Sequence, residues 1–555
     1  MPEDKGVRAL PPADMLVSES PYRESRTFEK SNPDGNPFMS GRHRIQIRLV
    51  TGGDRLDALL GDPLFGGSTD VFNHVSSRYF DSGGWNLHKS SASLETRIGA
   101  GLREQTLAID PQDDAQPLVR VEWTSRIRKA APDLDALPAD ARARVGRMLG
   151  EARLHSFASV VSERARRTLR YDEATIEAIS DRAVIAAAGH REDCCELLLE
   201  LSEGAPADLF HFVLELPLGP DLRWSTVSRA ERGYWRAAGV PGMASKATPV
   251  RLNEKSSAPQ AFQRIAWHCL GQLLRNYEMV IAHSDADALH QSRVALRRLR
   301  AAFSIFAEVI ADDASVRLRA EFKAVADVLG SARDLDVLIG ALGSQEVPAD
   351  IEQRDVDELL LQLDGQRSLA YGNASALLQG VSFQTLLFRT AAWIEGGDWL
   401  KRASGDGAVA RLIPFSSAIM RSRRRQLEKK ARDLAALGPK ARHRLRIRVK
   451  KLRYATDFFA SVFSSHRSAL RQKAFSSALE TLQDRLGELN DMVAGWNPAA
   501  LDLASVDDIR RAGLRVVLER MLAARAGSEQ PLLKAAQKAS NEALLVRRFW
   551  KKMKR

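Results

Sequence analysis

The sequence has few cysteines and no long apolar run. Three cysteines in 555 residues are too few for a disulfide framework or a four-cysteine metal site. We therefore interpret the adjacent Cys194 and Cys195 as small apolar side chains in a reducing compartment. No apolar run approaches the roughly 20 residues that a membrane span needs, and the first residues lack the apolar centre of a signal peptide. These absences predict a cytoplasmic protein without a membrane span.

Positive charge is concentrated in the C-terminal part of the chain. Of the formal net charge of +12, residues 1–240 contribute −5 and residues 241–555 contribute +17. The apolar fraction of 44% and the charged fraction of 27% are typical of a globular protein, and the chain is too long for one ordinary core. We expect at least two domains, with an anionic partner for the second.

Hydrophobic periodicity divides the chain into five parts. Residues 1–40 are rich in Pro, Ser and Gly, which predicts a disordered arm. Short alternating segments within 41–240 predict an antiparallel β-barrel or tunnel, and 241–257, without periodicity, is interpreted as a linker. Periods near 3.6 fill 258–500, and 501–555 holds further helices and a basic tail. The predicted fold class is multidomain, α+β and then all-α. The strand-like segments are HRIQIRLV, VSSRYFD, SLETRI, EQTLAI, VRVEW, TIEAIS, AVIAAA and CCELLLEL.

Two segments of the helical part share the pattern H-x-x-R-x-x-x-[RK]-[RK]-x-R. A second pattern follows each of them, LGSARD from Leu329 and LGELND from Leu486. We infer an internal duplication, with repeats at about 258–340 and 409–500, and so a duplicated helical bundle. The polar positions of the first pattern are His290, Arg293, Arg297, Arg298 and Arg300 in one copy and His443, Arg446, Lys450, Lys451 and Arg453 in the other.

This spacing concentrates positive charge along one edge of a helix. At about 100° per residue, the positions three, seven and ten after the histidine share with it a stripe roughly 80° wide. Neither copy has an acid between its histidine and its last arginine, so the cations repel one another. Bound phosphate would relieve this repulsion, because arginine, lysine and protonated histidine all donate to it. Two such stripes related by a pseudo-twofold axis would line one groove for a long polyanion.

Other interpretations of the stripes remain open. One is a solvated basic helix face, and the other is internal ion pairing of the cations with Asp334, Asp336 and Asp491. Metal ligation by the two histidines is disfavoured, because arginines rather than acids or thiols surround them. The stripes also carry few aromatic side chains, with Tyr454 as the exception, which favours polyphosphate over single-stranded nucleic acid.

The segments HQSRVALRRLR and HRLRIRVKKLRY, with LGSARDLDVL and LGELND, resemble the CHAD family, the conserved-histidine α-helical domains. The resemblance covers about 258–500 and implies a duplicated helical fold that binds inorganic polyphosphate. It implies that all ten polar residues of the two copies contact phosphate. From its composition, helix Arg421–Lys430 is predicted to line the same surface through Arg424, as is Arg264.

The N-terminal part resembles the CYTH family, which has the triphosphate-tunnel metalloenzyme fold. The resemblance rests on YFDSGGWNLHKSSASLETRI, VRVEW, CELLLEL and SRAERGY. It implies a first strand with E-x-E-x-K, whose acids hold Mg²⁺ or Mn²⁺ against a triphosphate. In this sequence the matching positions are Arg44, Gln46 and Arg48. Because both carboxylates are replaced, we expect a barrel that binds no metal and does not hydrolyse phosphate.

Further departures from the CYTH pattern support that expectation. Glu95 replaces one expected arginine, Ala108 an expected lysine and Leu198 an expected acid. The acids that remain are predicted to form ordinary ion pairs, although a rearranged site stays an alternative. These acids are Glu122, Glu196 and Glu200. A residual anion site in the tunnel would use Arg44, Arg48, Arg97 and Arg120.

Three functions are consistent with these patterns. The first is a non-enzymatic polyphosphate-binding protein, free in the cytoplasm or on polyphosphate or storage granules, that needs no cofactor. The second is a triphosphatase or polyphosphatase that uses Mg²⁺ or Mn²⁺ in the barrel, with the helical part capturing substrate. The third is a nucleic-acid-binding protein. A Walker-type nucleotide enzyme is disfavoured, because the chain has no G-x-x-x-x-G-K-[ST] pattern.

Overall fold

The structure is a computed structural model that describes residues 42–66, 73–99, 101–110, 118–240, 242–400, 411–493, 508–525 and 529–550. The predicted arm over 1–40 and the last five residues of the basic tail lie outside these ranges. No helix in the described part is long and apolar enough to cross a membrane.

The N-terminal part is an eight-stranded antiparallel barrel, which confirms the predicted fold class. Its order is β1-β5-β4-β3-β2-β6-β7-β8, and β1 closes it by pairing with both β8 and β5. A short strand β9, Arg223–Ser225, pairs with the end of β1. The barrel strands are β1 Arg42–Thr51, β2 Asn73–Ser82, β3 Ala92–Gly99, β4 Leu102–Ile109, β5 Val119–Arg126, β6 Leu154–Tyr171, β7 Ala174–Ala187 and β8 His190–Glu203.

Successive side chains of β1 point alternately into the apolar core and into the barrel interior. Ile47 and Leu49 are fully buried in the apolar core that the barrel shares with the helices. Because successive side chains point to opposite faces of a strand, Arg48 points into the barrel. Its guanidinium lies near Glu196 of β8, with 3.6 Å between Nε and Oε2. The α-helices described in residues 42–240 are α1 Gly53–Leu60, α2 Asn86–Lys89, α3 Ala139–Leu149, α4 Pro206–Glu215 and α5 Arg229–Ala238.

Two features of the barrel differ from the predicted strands. The strand β6 was not among the predicted segments, because SERARRTLR places charge on both of its faces and has no apolar alternation. TIEAIS and AVIAAA form one strand, β7, and not two. Asp181 lies between these two segments, where it accepts two hydrogen bonds of 2.9 Å from Arg164 on β6 and continues the strand.

The C-terminal part is helical, as predicted. Capping side chains fix where several helices begin: Ser257 and Gln260 form a capping box at α6, and Asp285 and Asp312 cap α7 and α8. The helices are α6 Ala258–His283, α7 Ala286–Ile305, α8 Asp313–Gly343, α9 Gln353–Gln379, α10 Val381–Gly396, α11 Leu412–Lys430, α12 Pro439–Phe458, α13 His466–Val493, α14 Asp508–Arg525 and α15 Glu529–Leu545.

The two motif helices, α7 and α12, pack on each other with matching residues in contact. Phe306 and Phe459 occupy the same position relative to the histidine of each motif, directly after α7 and α12. Their rings meet edge to face with centroids 5.9 Å apart. Contact between equivalent residues is what a pseudo-twofold axis between the repeats produces.

The barrel and the helices share one apolar core. The Trp224 ring of β9 stacks on Phe388 of α10 with centroids 4.9 Å apart. The Tyr277 hydroxyl donates to the Trp224 carbonyl at 2.6 Å. The segment interpreted as a linker packs into the same structure, because Val250 and Leu252 are buried. Experiments on the helical part therefore require the full chain.

Candidate functional site

The first motif places its histidine and two of its arginines on a partly exposed face of α7. Leu289, Leu296 and Leu299 are buried on the opposite side and hold this helix against the core. The exposed edge carries His290, Arg293 and Arg297, and Arg333 of α8 acts on the same edge. The outer edge of the helix therefore carries the stripe that the sequence predicts.

A cluster of one histidine and three arginines, His290, Arg293, Arg297 and Arg333, creates a positive field around its own members. Burial lowers the pKa of His290 below its usual range, and Arg333 and Arg297 lower it further. Burial also lowers the pKa of the Arg293 guanidinium; Asp334 opposes this shift, and Arg297 and Arg333 add to it. The nearby carboxylate thus only partly offsets the crowding of like charges.

Arg293 fits against the glycine of the second sequence pattern. Its Nη1 donates to the Ala326 carbonyl at 3.4 Å, and its Nη2 is 3.6 Å from Oδ1 of Asp334. A Cβ added to Gly330 would be 2.6 Å from that Nη1. The glycine in LGSARD therefore leaves room for the motif arginine, which links the two patterns physically.

The second motif repeats this arrangement with more space. His443 is exposed, and Arg446 and Lys450 are partly exposed on α12. The guanidinium of Arg446 lies next to Gly487, where an added Cβ would be 3.8 Å from Nη2. The Nη1 of Arg453 is 3.5 Å from Oε1 of Glu480 on α13. Both copies thus present a basic edge beside a glycine.

Arg298 and Lys451 occupy equivalent positions in the two motifs but have different environments. Arg298 is 8% exposed and donates to Oε1 of Gln272 at 3.0 Å, and its guanidinium lies 5.6 Å from the centre of the Phe458 ring. Its counterpart Lys451 is partly exposed. Burial lowers the pKa of Lys451, and the other cations around it lower it further, namely Arg423, Arg319 and Arg448. The structure therefore places Arg298 in the core and Lys451 in a second cationic cluster.

Arg424, predicted to line the surface, is also buried. Its Nη1 donates to the Val546 carbonyl at 2.7 Å, and its Nε donates to Glu428 at 3.1 Å. The rings of Phe475 and Trp550 each lie 5.8 Å from the guanidinium. This arginine anchors the C-terminal segment and is only 7% exposed. Arg264 and Arg300 are partly exposed on α6 and α7.

Sequence reasoning omitted Arg333 from the site, although it lies within LGSARD. The available signal was its position in a pattern that follows the basic helix, but the second copy has Asn490 there. Of the predicted competing ion pairs, Arg293 with Asp334 measures 3.6 Å. Both that pair and Arg333 with Asp336, at 3.8 Å, are longer than the 2.7–2.9 Å typical of a charge-assisted hydrogen bond. The side chain of Asp491 lies outside the described residues.

The barrel interior pairs its arginines with carboxylates. Nη2 of Arg97 is 3.0 Å from Oε2 of Glu95, and Nε of Arg120 is 3.4 Å from Oε1 of Glu122. Arg44 pairs through its backbone with Arg120, and its side chain lies outside the described part. Each of the predicted tunnel cations with a described side chain thus has an acid beside it, which weakens the tunnel's attraction for anions.

Two buried acids of the barrel, Glu196 and Asp181, are held by arginines. Glu196 contacts Arg48 at 3.6 Å and Arg229 at 3.3 Å. Asp181 contacts Arg229 at 2.8 Å and Arg164 at 2.9 Å. Burial would raise the pKa of Asp181, but the two arginines hold it below its usual range.

These contacts show whether the barrel residues suit the divalent metal that the CYTH resemblance implies. Mg²⁺ and Mn²⁺ need carboxylate oxygens that are not already committed to cations. Within the described residues no group of three or more His, Cys, Asp or Glu side chains has the arrangement of a metal site. The residues present therefore do not fit the metal.

Two family models match the chain, the CYTH domain over residues 49–234 and the CHAD domain over residues 264–497. Among solved structures, the chain is similar to the CHAD domain of the plant Ricinus communis, with 26% identity, 54% of this chain and 97% of that chain covered, and a TM-score of 0.46.

The chain is also similar to a candidate adenylyl cyclase from Hippeastrum with a dominant triphosphatase activity. That match has 16% identity, covers 36% of this chain and 97% of the other, and has a TM-score of 0.23. A candidate adenylate cyclase from Bacillus halodurans has 18% identity, 29% and 81% coverage, and a TM-score of 0.22. The two family matches show that the chain contains a CYTH domain followed by a CHAD domain.

Proposed function

We propose that the protein binds inorganic polyphosphate along the basic edges of α7 and α12, and that its barrel is a scaffold without hydrolytic activity. The observation that carries this proposal is the cluster of His290, Arg293, Arg297 and Arg333. Burial lowers the pKa of His290 and Arg293, and the neighbouring arginines lower both further. A polyanion with one charge per repeating unit offsets such crowding along its whole length.

The aromatic side chains of the site favour polyphosphate over single-stranded nucleic acid. Proteins that bind single strands stack successive bases on exposed aromatic rings. Tyr454, the aromatic residue of the second motif, is 8% exposed and its ring stacks on Phe458 with centroids 6.4 Å apart. It therefore cannot offer a face to a base. The partner proposed for this surface is polyphosphate, free or on granules.

The binding proposal is tested with the full chain. Affinities for long-chain polyphosphate, single-stranded DNA and single-stranded RNA are measured at matched charge and several salt concentrations. We expect polyphosphate to bind most tightly. Replacing Arg293, Arg297, Arg446 and Lys450 together with Ala should weaken this binding and flatten its salt dependence, by analogy with a log–log slope of about −0.9 per neutralised phosphate in duplex DNA.

The control for this variant is Arg147→Ala, which removes an exposed cation from α3 of the barrel domain and should leave binding unchanged. Circular dichroism distinguishes lost binding from lost structure. Equal affinity for the three polymers would contradict polyphosphate as the specific ligand. Unfolding of the fourfold variant would support internal ion pairing over ligand binding.

The barrel proposal is tested by phosphate release from tripolyphosphate with Mg²⁺ or Mn²⁺. Because Glu196 and Asp181 are committed to arginines, we expect release at the level of the blank. Metal-dependent turnover that disappears in Glu196→Gln would overturn the proposal and establish a triphosphatase.

A further inference from the structure

A second cationic cluster lies where three helices, α8, α11 and α12, approach one another. Its centre is Lys451, the partly exposed lysine of the second motif, and three arginines act on its ammonium group. None of these arginines occupies a defined position of the patterns that the two repeats share. The cluster consists of Arg319 of α8, Arg423 of α11, and Arg448 and Lys451 of α12.

The cluster lies on a different side of α12 from the basic edge of that helix. At about 100° per residue, Arg446 and Lys450 lie about 60° and 20° to one side of His443. Lys451 and Arg448 lie about 80° and 140° to the other side. A chain of phosphates along the edge therefore follows a different side of the helix from these two residues. A ligand of the cluster needs a site of its own.

Arg423 is half-buried at the packed side of α11 without an acid beside it. It lies within about 60° of Met420 and Leu427 around the helix, and both of these side chains are buried. Burial lowers the pKa of the Arg423 guanidinium, and no described carboxylate opposes that shift. The next residue is different, because Nε of Arg424 donates to Glu428 at 3.1 Å. Arg423 has therefore lost water without gaining a carboxylate.

The other members of the cluster also lack an acid in the part of the chain that the structure describes. Burial lowers the pKa of Lys451, and the three arginines lower it further, with no carboxylate against them. Neither Arg319 nor Arg448 forms an ion pair with a described carboxylate. Because the described residues do not compensate this positive charge, an anion bound among them would relieve the repulsion.

We propose that this cluster is a phosphate-binding site separate from the two basic edges. Phosphate suits it, because the three arginines offer forked donors and Lys451 offers a point charge to the phosphate oxygens. Cations that converge from three helices match a compact, multiply charged anion, either pyrophosphate or the terminal phosphates of a longer chain. The inference rests on the proposed function for the class of ligand but not for the residues that bind it.

Pyrophosphate binding to the full chain tests the site, measured by titration calorimetry at low salt, where charges are least screened. The background is the edge variant, in which Arg293, Arg297, Arg446 and Lys450 are replaced with Ala. We expect this variant to keep one pyrophosphate site. Replacing the three arginines of the cluster with Gln in the same background should lower the affinity at least about tenfold, because each loses a charge-assisted hydrogen bond.

The matched control replaces Arg421, Arg425 and Lys429 with Gln. These substitutions remove the same number of charges from the exposed outer face of α11, about 160° or more from Arg423 at the nearest. They should change pyrophosphate affinity by less than about twofold. If the edge variant does not fold, Arg423→Gln and Arg425→Gln in the wild-type background replace it. The first should lower the number of pyrophosphates bound, and the second should leave it unchanged.

Thermal unfolding distinguishes lost binding from lost structure. Because the cations of the cluster repel one another, the three glutamines should leave the unfolding temperature without ligand unchanged or higher. Pyrophosphate should raise the unfolding temperature of the edge variant, since it binds the folded state. It should not raise that of the edge variant with the three glutamines.

Long-chain polyphosphate identifies the source of the phosphate. If the three glutamines in the wild-type background also weaken long-chain binding, the site takes chain ends; if only pyrophosphate binding falls, it takes short phosphates. An edge variant that folds but binds no pyrophosphate, or glutamines that leave its affinity unchanged, would overturn the cluster as a site and leave the proposed edges intact. Conversely, an edge variant that binds long chains as tightly as wild type contradicts the proposed edges and leaves the cluster intact.

Discussion

The guanidinium of Arg293 lies against Gly330 of the neighbouring helix, so close that an added Cβ would be 2.6 Å from Nη1. The equivalent pair, Arg446 and Gly487, leaves 3.8 Å to Nη2. The two sequence patterns of each repeat therefore describe one site. The basic helix supplies the arginine, and the following helix supplies the space for it.

This difference in spacing predicts different effects of the same substitution. Gly330→Ala should displace the flexible Arg293 side chain and lower polyphosphate affinity severalfold, with little loss of stability. Gly487→Ala meets ordinary contact distances and should affect binding less. Each alanine favours its helix by up to about 1 kcal/mol relative to glycine. Affinity measurements combined with chemical unfolding of both variants provide the check.

Severe destabilisation by Gly330→Ala would show that the helix and not the arginine side chain needs the glycine. Equal losses of affinity in both variants would show that the spacing around Arg293 has no special role.

Neighbouring arginines of the first motif should have opposite roles. Arg298 donates to the buried Gln272 and lies over Phe458, so Arg298→Ala leaves a buried amide without its donor. We expect a loss of about 1–3 kcal/mol in the free energy of unfolding, from the lost hydrogen bond and ring contact. Arg297→Ala, on the partly exposed edge, should change the free energy of unfolding by less than about 0.5 kcal/mol but weaken polyphosphate binding.

Urea unfolding and polyphosphate binding, measured on both variants, distinguish these roles. Arg298→Met retains the apolar length of the side chain and serves as the packing control. A folded Arg298→Ala protein with normal stability and strongly reduced binding would contradict the structural role given to this arginine.

The fold could be predicted from periodicity where one face of each element is apolar. The helices of the CHAD domain meet that condition, as does β1 with Ile47 and Leu49. The strand β6 does not, because its polar residues point both into the barrel and outward. The segments TIEAIS and AVIAAA, predicted separately, form the one strand β7 with the charged Asp181 inside it. Its charge is stabilised inside the barrel by Arg164 and Arg229, which are distant in sequence.

The candidate site could be predicted only as far as the geometry of one helix extends. Spacing along α7 identified the edge with Arg293 and Arg297, but not the side on which Arg298 lies, because that depends on Gln272 of α6. The prediction that Arg424 lines the surface was wrong for the same reason, because its environment depends on a distant segment. The C-terminal segment with Trp550 covers it, and no local pattern shows which distant segment packs on a helix.

His290 makes binding depend on pH. Burial lowers its pKa in the free protein below the usual value of about 6.5, and Arg333 and Arg297 lower it further. A bound phosphate next to the ring raises the pKa, because negative charge stabilises the protonated form. Between the free and the bound pKa, the protein takes up a proton on binding. Affinity should therefore be highest at low pH and fall as pH rises through the bound pKa.

In the absence of ligand, the pH dependence of folding stability that His290 causes has the opposite sign to that of binding. Because the pKa of His290 is lower in the folded than in the unfolded protein, protonation favours unfolding. Its contribution to stability is complete above the unfolded pKa and is lost as pH falls through the folded one. Through His290, low pH should therefore lower the free energy of unfolding of the free protein but raise its affinity for polyphosphate. Unfolding experiments with and without polyphosphate separate the two effects.

Dissociation constants measured from about pH 5.5 to 8.5 at constant ionic strength test the binding effect. The matched variant is His290→Gln, which keeps a hydrogen-bond donor of similar length but does not titrate. It should bind with a flatter pH profile than wild type and equal its affinity most nearly at high pH, where the histidine is neutral. If the wild-type and His290→Gln profiles have the same slope, the titrating group lies elsewhere and His290 does not contact the anion.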